Sequence, residues 1–170
     1  FHIQTGETVV SAKEKCPDLT LVPPNYDLYN KSSKALIKLL SEYTDKIEQY
    51  SIDEAFLDMT GCCDDSERTA HEIKDRVHAQ LGFTVNIGVS ENKLLAKMAS
   101  DFMKPDRVHT LWKSEIQTKM WPLPVSELFY VGHASLNKLR KLGIHTIGEL
   151  AATDPGILQA HMKSQGLLIW

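Results

Sequence analysis

At 170 residues and 42% hydrophobic content, the chain can bury one sizeable core or a core plus a small appended unit, which excludes a disordered polymer. A net charge of −3 excludes a uniformly basic nucleic-acid coat. Residues 1–112 carry about five surplus acids and residues 113–170 about two surplus bases, so any contact with nucleic acid has to use local patches.

The chain opens at Phe1 without a methionine, a basic start or a cleavable apolar segment, and it reads as beginning mid-domain. Residues 7–15 carry a short helix stopped by Pro17, and Leu19, Leu21 and Val22 predict a short strand ending at Pro23 and Pro24. From Tyr26 to Tyr43, Leu28, Leu36, Leu39, Leu40 and Tyr43 gather mostly on one helical face. Residues 46–59 switch to period two through Ile52, Phe56, Leu57 and Met59, which is strand material broken by Gly61. Ser66 is placed to cap a helix through Leu81 that presents Ile73, Val77 and Leu81, with Gly82 as its left-handed end. Phe83, Val85, Ile87 and Val89 alternate as another strand. Ser90 is read as the cap of a helix presenting Leu94, Leu95, Met98, Ala99 and Phe102, ended by Pro105.

Val108–Trp112 is a last strand, after which the pattern is helical only. Trp121, Pro122 and Pro124 mark a join, and short helices follow at 126–130, 135–142, 147–152 and 155–162. Strands alternating with helices up to residue 112 predict an α+β unit, an antiparallel sheet covered on one face by two helices, followed by a small all-α unit.

Chemistry concentrates in Tyr50–Gly61, YSIDEAFLDMTG, where Asp53 and Glu54 are adjacent inside strand-like sequence. Strand neighbours point to opposite faces, so adjacent acids converge on one ion only at a turn or strand end. Paired carboxylates repel unless a divalent cation offsets them, and hard oxygen ligands suit Mg²⁺. Taken as an isolated acidic pair, without their context, they read first as solvated turn residues.

This stretch resembles the palm signature of the Y-family translesion DNA polymerases, the ImpB/MucB/SamB group with UmuC and DinB. So does Gly88–Asp106, GVSENKLLAKMASDFMKPD, and the likeness reaches upstream to Thr5, Gly6 and Cys16–Leu19. The resemblance implies a ferredoxin-like palm over 25–112, a C-terminal remnant of the fingers over 1–24 and an incomplete helix-hairpin-helix thumb over 113–170. It implies template-directed addition of deoxynucleotides across damaged template in DNA repair and the SOS response, by a nucleotidyltransferase using two Mg²⁺ ions held by three acids. Asp53 would bridge both ions and Glu54 would lie by the one that activates the primer hydroxyl. The third acid is expected on an N-terminal strand outside this sequence, which leaves the 170 residues inactive alone. Lys104 would contact the incoming triphosphate. Lys93 and Lys97, a turn apart, face either phosphate or solvent. The implied partners are primer-template DNA, a deoxynucleoside triphosphate and, through an absent C-terminal part, the sliding clamp.

Leu128–Ile144 resembles the thumb's helix-hairpin-helix, which holds DNA backbone through amides at a helix N-terminus and nearby bases. Gly132, Lys138, Arg140 and Lys141 fit that role. The departure is Tyr130, where the family pattern has a first glycine; a tyrosine resists positive φ and works against both hairpin geometry and phosphate approach. The rival for this segment is a structural helical pair on Leu136, Leu139 and Leu142, and the rival for the whole is a non-catalytic damaged-DNA-binding homologue.

Other residues read as structural. Cys62, Cys63, Asp64 and Asp65 form a loop, since adjacent cysteines do not ligate as a spaced pair does. With Cys16 they suit neither a disulfide framework nor a zinc knuckle and indicate a reducing, cytoplasmic setting. The seven histidines are scattered. Trp112, Trp121, Phe129 and Tyr130 are expected in a core at the join. No apolar run reaches the length of a membrane span.

Overall fold

A computed structural model describes residues 1–170. Thr8 caps α1 (Val9–Lys15) by accepting from the Ser11 amide, and Asn25 caps α2 (Tyr26–Leu40) by accepting from the Leu28 amide. β1 (Ile47–Gln49) and β2 (Ala55–Leu57) pair antiparallel with Ile47 opposite Leu57. α3 (Ser66–Leu81) ends on Gly82 at φ 77°, the left-handed conformation that glycine adopts without steric cost. β3 (Ile87–Val89), α4 (Lys93–Asp101) and β4 (Val108–Thr110) then form a strand-helix-strand crossover whose strands run parallel, Ile87 opposite Val108.

The α+β reading holds, but the expected antiparallel sheet is two pairs of strands with different senses. A helix lies between β3 and β4, and a helical crossover returns the chain in the same direction. Three local expectations are also corrected. Leu19–Val22 forms no strand, because no partner strand is present, Leu21 and Val22 lie exposed, and the two prolines that follow lack N–H donors. Asp65, one residue before Ser66, caps α3 by accepting from the Arg68 amide. Asn92 caps α4 by accepting from Leu95, while the Ser90 hydroxyl donates to the Leu111 carbonyl and ties β3 to the end of β4.

Two cores result. Leu36, Leu39 and Leu40 of α2 meet Ile73 and Val77 of α3, with Ile47, Leu57, Phe83 and Ile87 packed against them. The larger core joins Leu95, Met98 and Ala99 of α4 to Leu111 and to the helical C-terminal half. That half comprises a 3₁₀ turn at Lys113–Glu115, a π turn at Ile116–Met120 and a 3₁₀ turn at Val125–Glu127, then α5 (His133–Lys141), α6 (Ile147–Ala152), α7 (Pro155–Met162) and α8 (Ser164–Ile169). Val125, Leu139, Leu150 and Leu158 are its fully enclosed side chains. α4 therefore packs on β3 and β4 and joins the helical half, and its lysines reach the acid-bearing β1–β2 hairpin through ion pairs.

Gly88 is the reason that α4 comes so close to β3. A Cβ there would stand 1.8 Å from the Ala96 carbonyl oxygen and 2.6 Å from the Ser100 amide. Trp121 and Tyr130, expected in the core, are instead 37% and 56% exposed, while Phe129 packs against the core.

Candidate active site and nucleic-acid interface

Asp53 and Glu54 stand where strand geometry demanded, at the end of the β1–β2 turn. The Tyr50 and Ser51 amides both donate to the Glu54 carbonyl, at 2.9 and 3.1 Å, and close that turn. The Ser51 hydroxyl donates to Asp53 Oδ1 at 2.6 Å and accepts from the Asp53 amide at 3.3 Å, an Asx-like local brace. Ile52 and Asp53 border an apolar groove with Tyr29, Leu36, Phe83 and Val85.

Facing the turn, α4 supplies a line of alternating charge. Lys97 Nζ lies 2.5 Å from Glu54 Oε1 and 3.1 Å from Asp101 Oδ2, and Lys104 Nζ lies 2.7 Å from Asp101 Oδ1. Lys93 pairs with Glu48 of β1. Of the two alternatives left open, phosphate or solvent, Lys93 keeps its solvent exposure while pairing with Glu48, whereas Lys97 is enclosed against the carboxylates of Glu54 and Asp101. Burial by itself would lower the Lys97 pKa, but the hydrogen bonds that its ammonium donates to Glu54 and Asp101 outweigh it and the pKa is raised. Burial would likewise raise Asp101, and its bonds to Lys104 and Lys97 outweigh that, leaving it below the usual carboxylate value.

An aromatic group links this turn to the helical half. The Tyr50 ring meets Phe56 at 5.8 Å and Phe129 at 6.0 Å, both edge-on, and Lys97 Nζ stands 6.0 Å from the Phe129 centroid.

The second candidate site is less gathered than the sequence suggested. Gly132 is the N-cap of α5 with no side-chain cap bond, so the amides of the first turn face outward unpartnered by a side chain. Lys138, Arg140 and Lys141 occupy the last turn of the same helix, exposed and in no salt bridge. At 1.5 Å per residue, the helix separates Gly132 from these bases by roughly 9–13 Å. Tyr130 takes φ 74°, the left-handed value that its side chain disfavours. The expected obstacle to hairpin geometry is therefore overcome, at a cost in strain, with the ring tilted on Phe129 at 4.2 Å between centroids.

As donors, Asp53 and Glu54 fit a hard divalent cation, with two adjacent carboxylates on a solvent-reaching turn. No group of three or more His, Cys, Asp and Glu side chains is gathered for a metal ion. Lys97 and Asp101 were the residues that sequence reasoning undervalued. Their i, i+4 spacing on an amphipathic helix was visible, but which sheet carboxylate they would meet was not.

The model of the impB/mucB/samB family matches residues 1–101, and that of the IMS family HHH motif matches residues 113–144. The chain belongs to the impB/mucB/samB family. DNA polymerase IV of Clostridium acetobutylicum is 50% identical over 172 residues, covering 100% of this chain and 43% of the relative. DNA polymerase IV 1 of Bacillus subtilis is 47% identical over 166 residues, covering 96% of this chain and 40% of the relative. The chain thus spans less than half the length of these two curated relatives. Among solved structures, DinB from Sulfolobus solfataricus superposes with a TM-score of 0.86 at 27% identity, covering 99% of this chain and 51% of that one. An insertion ternary complex of Dbh DNA polymerase gives 0.84 at 28% identity, covering 99% and 50%. No helix of this family member is long and apolar enough to cross a membrane.

Proposed function

We propose that the whole protein containing this chain is a DNA-directed DNA polymerase of the translesion type, a nucleotidyltransferase that adds deoxynucleotides to a primer across damaged template. The observation that carries the reading is the Asp53–Glu54 turn within a chain whose family match runs from residue 1 to 101. Residues 1–24, 25–112 and 113–170 would be the end of the fingers, the palm and the thumb. Divalent cations, Mg²⁺ first among them, supply charge neutralisation and a more acidic primer hydroxyl when bound, and Asp53 and Glu54 would hold them.

Lys104, 59% exposed and held only by Asp101, would turn from that carboxylate to the triphosphate, where a cation stabilises developing negative charge. The α5 amides beyond Gly132 would take one backbone phosphate of the primer-template duplex. Lys138, Arg140 and Lys141 would meet further phosphates along the strand, since the helix separates the two groups. A sliding clamp would engage parts outside these 170 residues.

Primer extension by the whole protein tests the reading. Asp53→Ala and Glu54→Ala should each lower single-nucleotide addition by at least about 100-fold, the scale of removing one preorganised electrostatic group. Near wild-type extension by either variant overturns it.

A further inference from the structure

Of the three lysines on α4 and the residues just after it, Lys97 is the one that is enclosed. Its side chain is 14% exposed, against 61% for Lys93 and 59% for Lys104. It contacts Glu54 at 2.5 Å and Asp101 at 3.1 Å with the Phe129 ring beside it. Asp53, next to Glu54, has only the Ser51 hydroxyl and its own backbone turn as brace. Two adjacent carboxylates without a cation repel, and the nearest positive charge fixed against them is the Lys97 ammonium.

We propose that Lys97 is a resident counter-cation of the acid pair, holding Glu54 in the metal-free protein and thereby weakening the affinity of that pair for a divalent cation. The inference rests on the reading of Asp53 and Glu54 as metal ligands. A cation bound by Glu54 would share that carboxylate with Nζ or displace it, and either way it meets a unit positive charge a few ångströms away. Removing the charge therefore strengthens cation binding. A lysine that merely oriented Glu54 would have the opposite signature, because its removal would loosen a ligand and lower affinity. The sign of the change separates the two roles.

The experiment is a Mn²⁺ titration of the whole protein, followed by electron paramagnetic resonance of free Mn²⁺, with the Mn²⁺-induced rise in melting temperature as a second readout. Lys97→Met and Lys97→Gln should bind about tenfold more tightly than wild type and gain correspondingly more thermal stability from the ion. Lys97→Arg, which keeps the charge, should stay at the wild-type affinity. Lys97→Gln keeps a hydrogen-bond donor toward Glu54 and carries the test if methionine loosens the fold. Equal or weaker Mn²⁺ binding in the uncharged variants overturns the counter-cation role and leaves the metal reading standing. Binding that Asp53→Asn does not weaken overturns the metal reading itself, and the inference with it.

Discussion

The acid-bearing hairpin and the basic helix α5 differ in how their charges are spent. Around the hairpin both lysines of the facing helix, and Lys104 just beyond its end, have a carboxylate: Lys93 takes Glu48, Lys97 takes Glu54 and Asp101, and Lys104 takes Asp101. On α5, Lys138, Arg140 and Lys141 have none. A paired site resists its ligand until the internal pairing is exchanged, whereas an unpaired one is open to any phosphate at once. Loading of the acid pair should therefore depend on specific residues around it, and binding by α5 on ionic strength.

The largest expected effect breaks the scaffold that makes the first half of this contrast possible. Gly88→Ala forces a methyl into the backbone of α4, so α4 must move away from β3 and take Lys97 from Glu54. The expected loss is at least about 3 kcal/mol, the upper end of overpacking, measured by urea denaturation. Retention of wild-type stability would mean that β3 and α4 are not in close backbone contact. On the other side of the comparison, Leu139→Ala empties an enclosed position of α5. It should cost about 2–5 kcal/mol without altering Mn²⁺ binding by the hairpin.

Smaller effects sharpen the comparison. Tyr130→Gly relieves a left-handed tyrosine, worth about 1–2 kcal/mol, offset by chain entropy and lost contact with Phe129, so a net gain of roughly 0.5–1 kcal/mol is expected. Tyr130→Ala keeps the strained φ and loses the ring, and it should destabilise. Thermal melts that rank alanine above glycine would show that φ is not what limits this position.

If α5 binds duplex DNA through about two phosphates, the slope of log affinity against log salt should be near −2. Lys138→Ala or Lys141→Ala should reduce its size by up to about one, by fluorescence anisotropy at several salt concentrations. A slope unchanged in both variants would leave α5 as scaffold only.

The smallest effect is on pH dependence. Asp101 has its pKa lowered in the fold, so its contribution is fully present above the ordinary aspartate value and is lost as pH falls through the folded value. Asp101→Asn should flatten that part of the acid limb of the stability profile, seen in melts from neutral to acid pH. An unchanged acid limb would show that its pairing with Lys97 and Lys104 adds little to the fold.

Much of this was legible in the sequence. Period-two and helical patterns gave the positions of α2, α3 and α7, and the adjacent acids demanded a turn or strand end, which is where they stand. The α3 end at Gly82 followed from glycine's freedom at positive φ, a local property. What failed was also local in kind. Ser66 and Ser90 resemble caps as well as Asp65 and Asn92 do, and one or two residues of register decide between them. Leu19–Val22 looks like a strand only until one asks what it would pair with.

Composition and periodicity thus determined the class of the fold, and the resemblance of two motif blocks, Tyr50–Gly61 and Gly88–Asp106, pointed to the family, because both are written in short-range patterns of side-chain type. The sense of the β3–β4 pairing, the meeting of Lys97 with Glu54 and the left-handed Tyr130 were decided by the tertiary structure. Each depends on residues that lie far apart in the chain or on backbone strain that surrounding packing has to hold. Gly88 marks the boundary between the two. Its identity is plain in the sequence, but its reason is the Ala96 carbonyl that a Cβ would meet at 1.8 Å, and that contact exists only after the crossover from β3 through α4 has folded back upon itself.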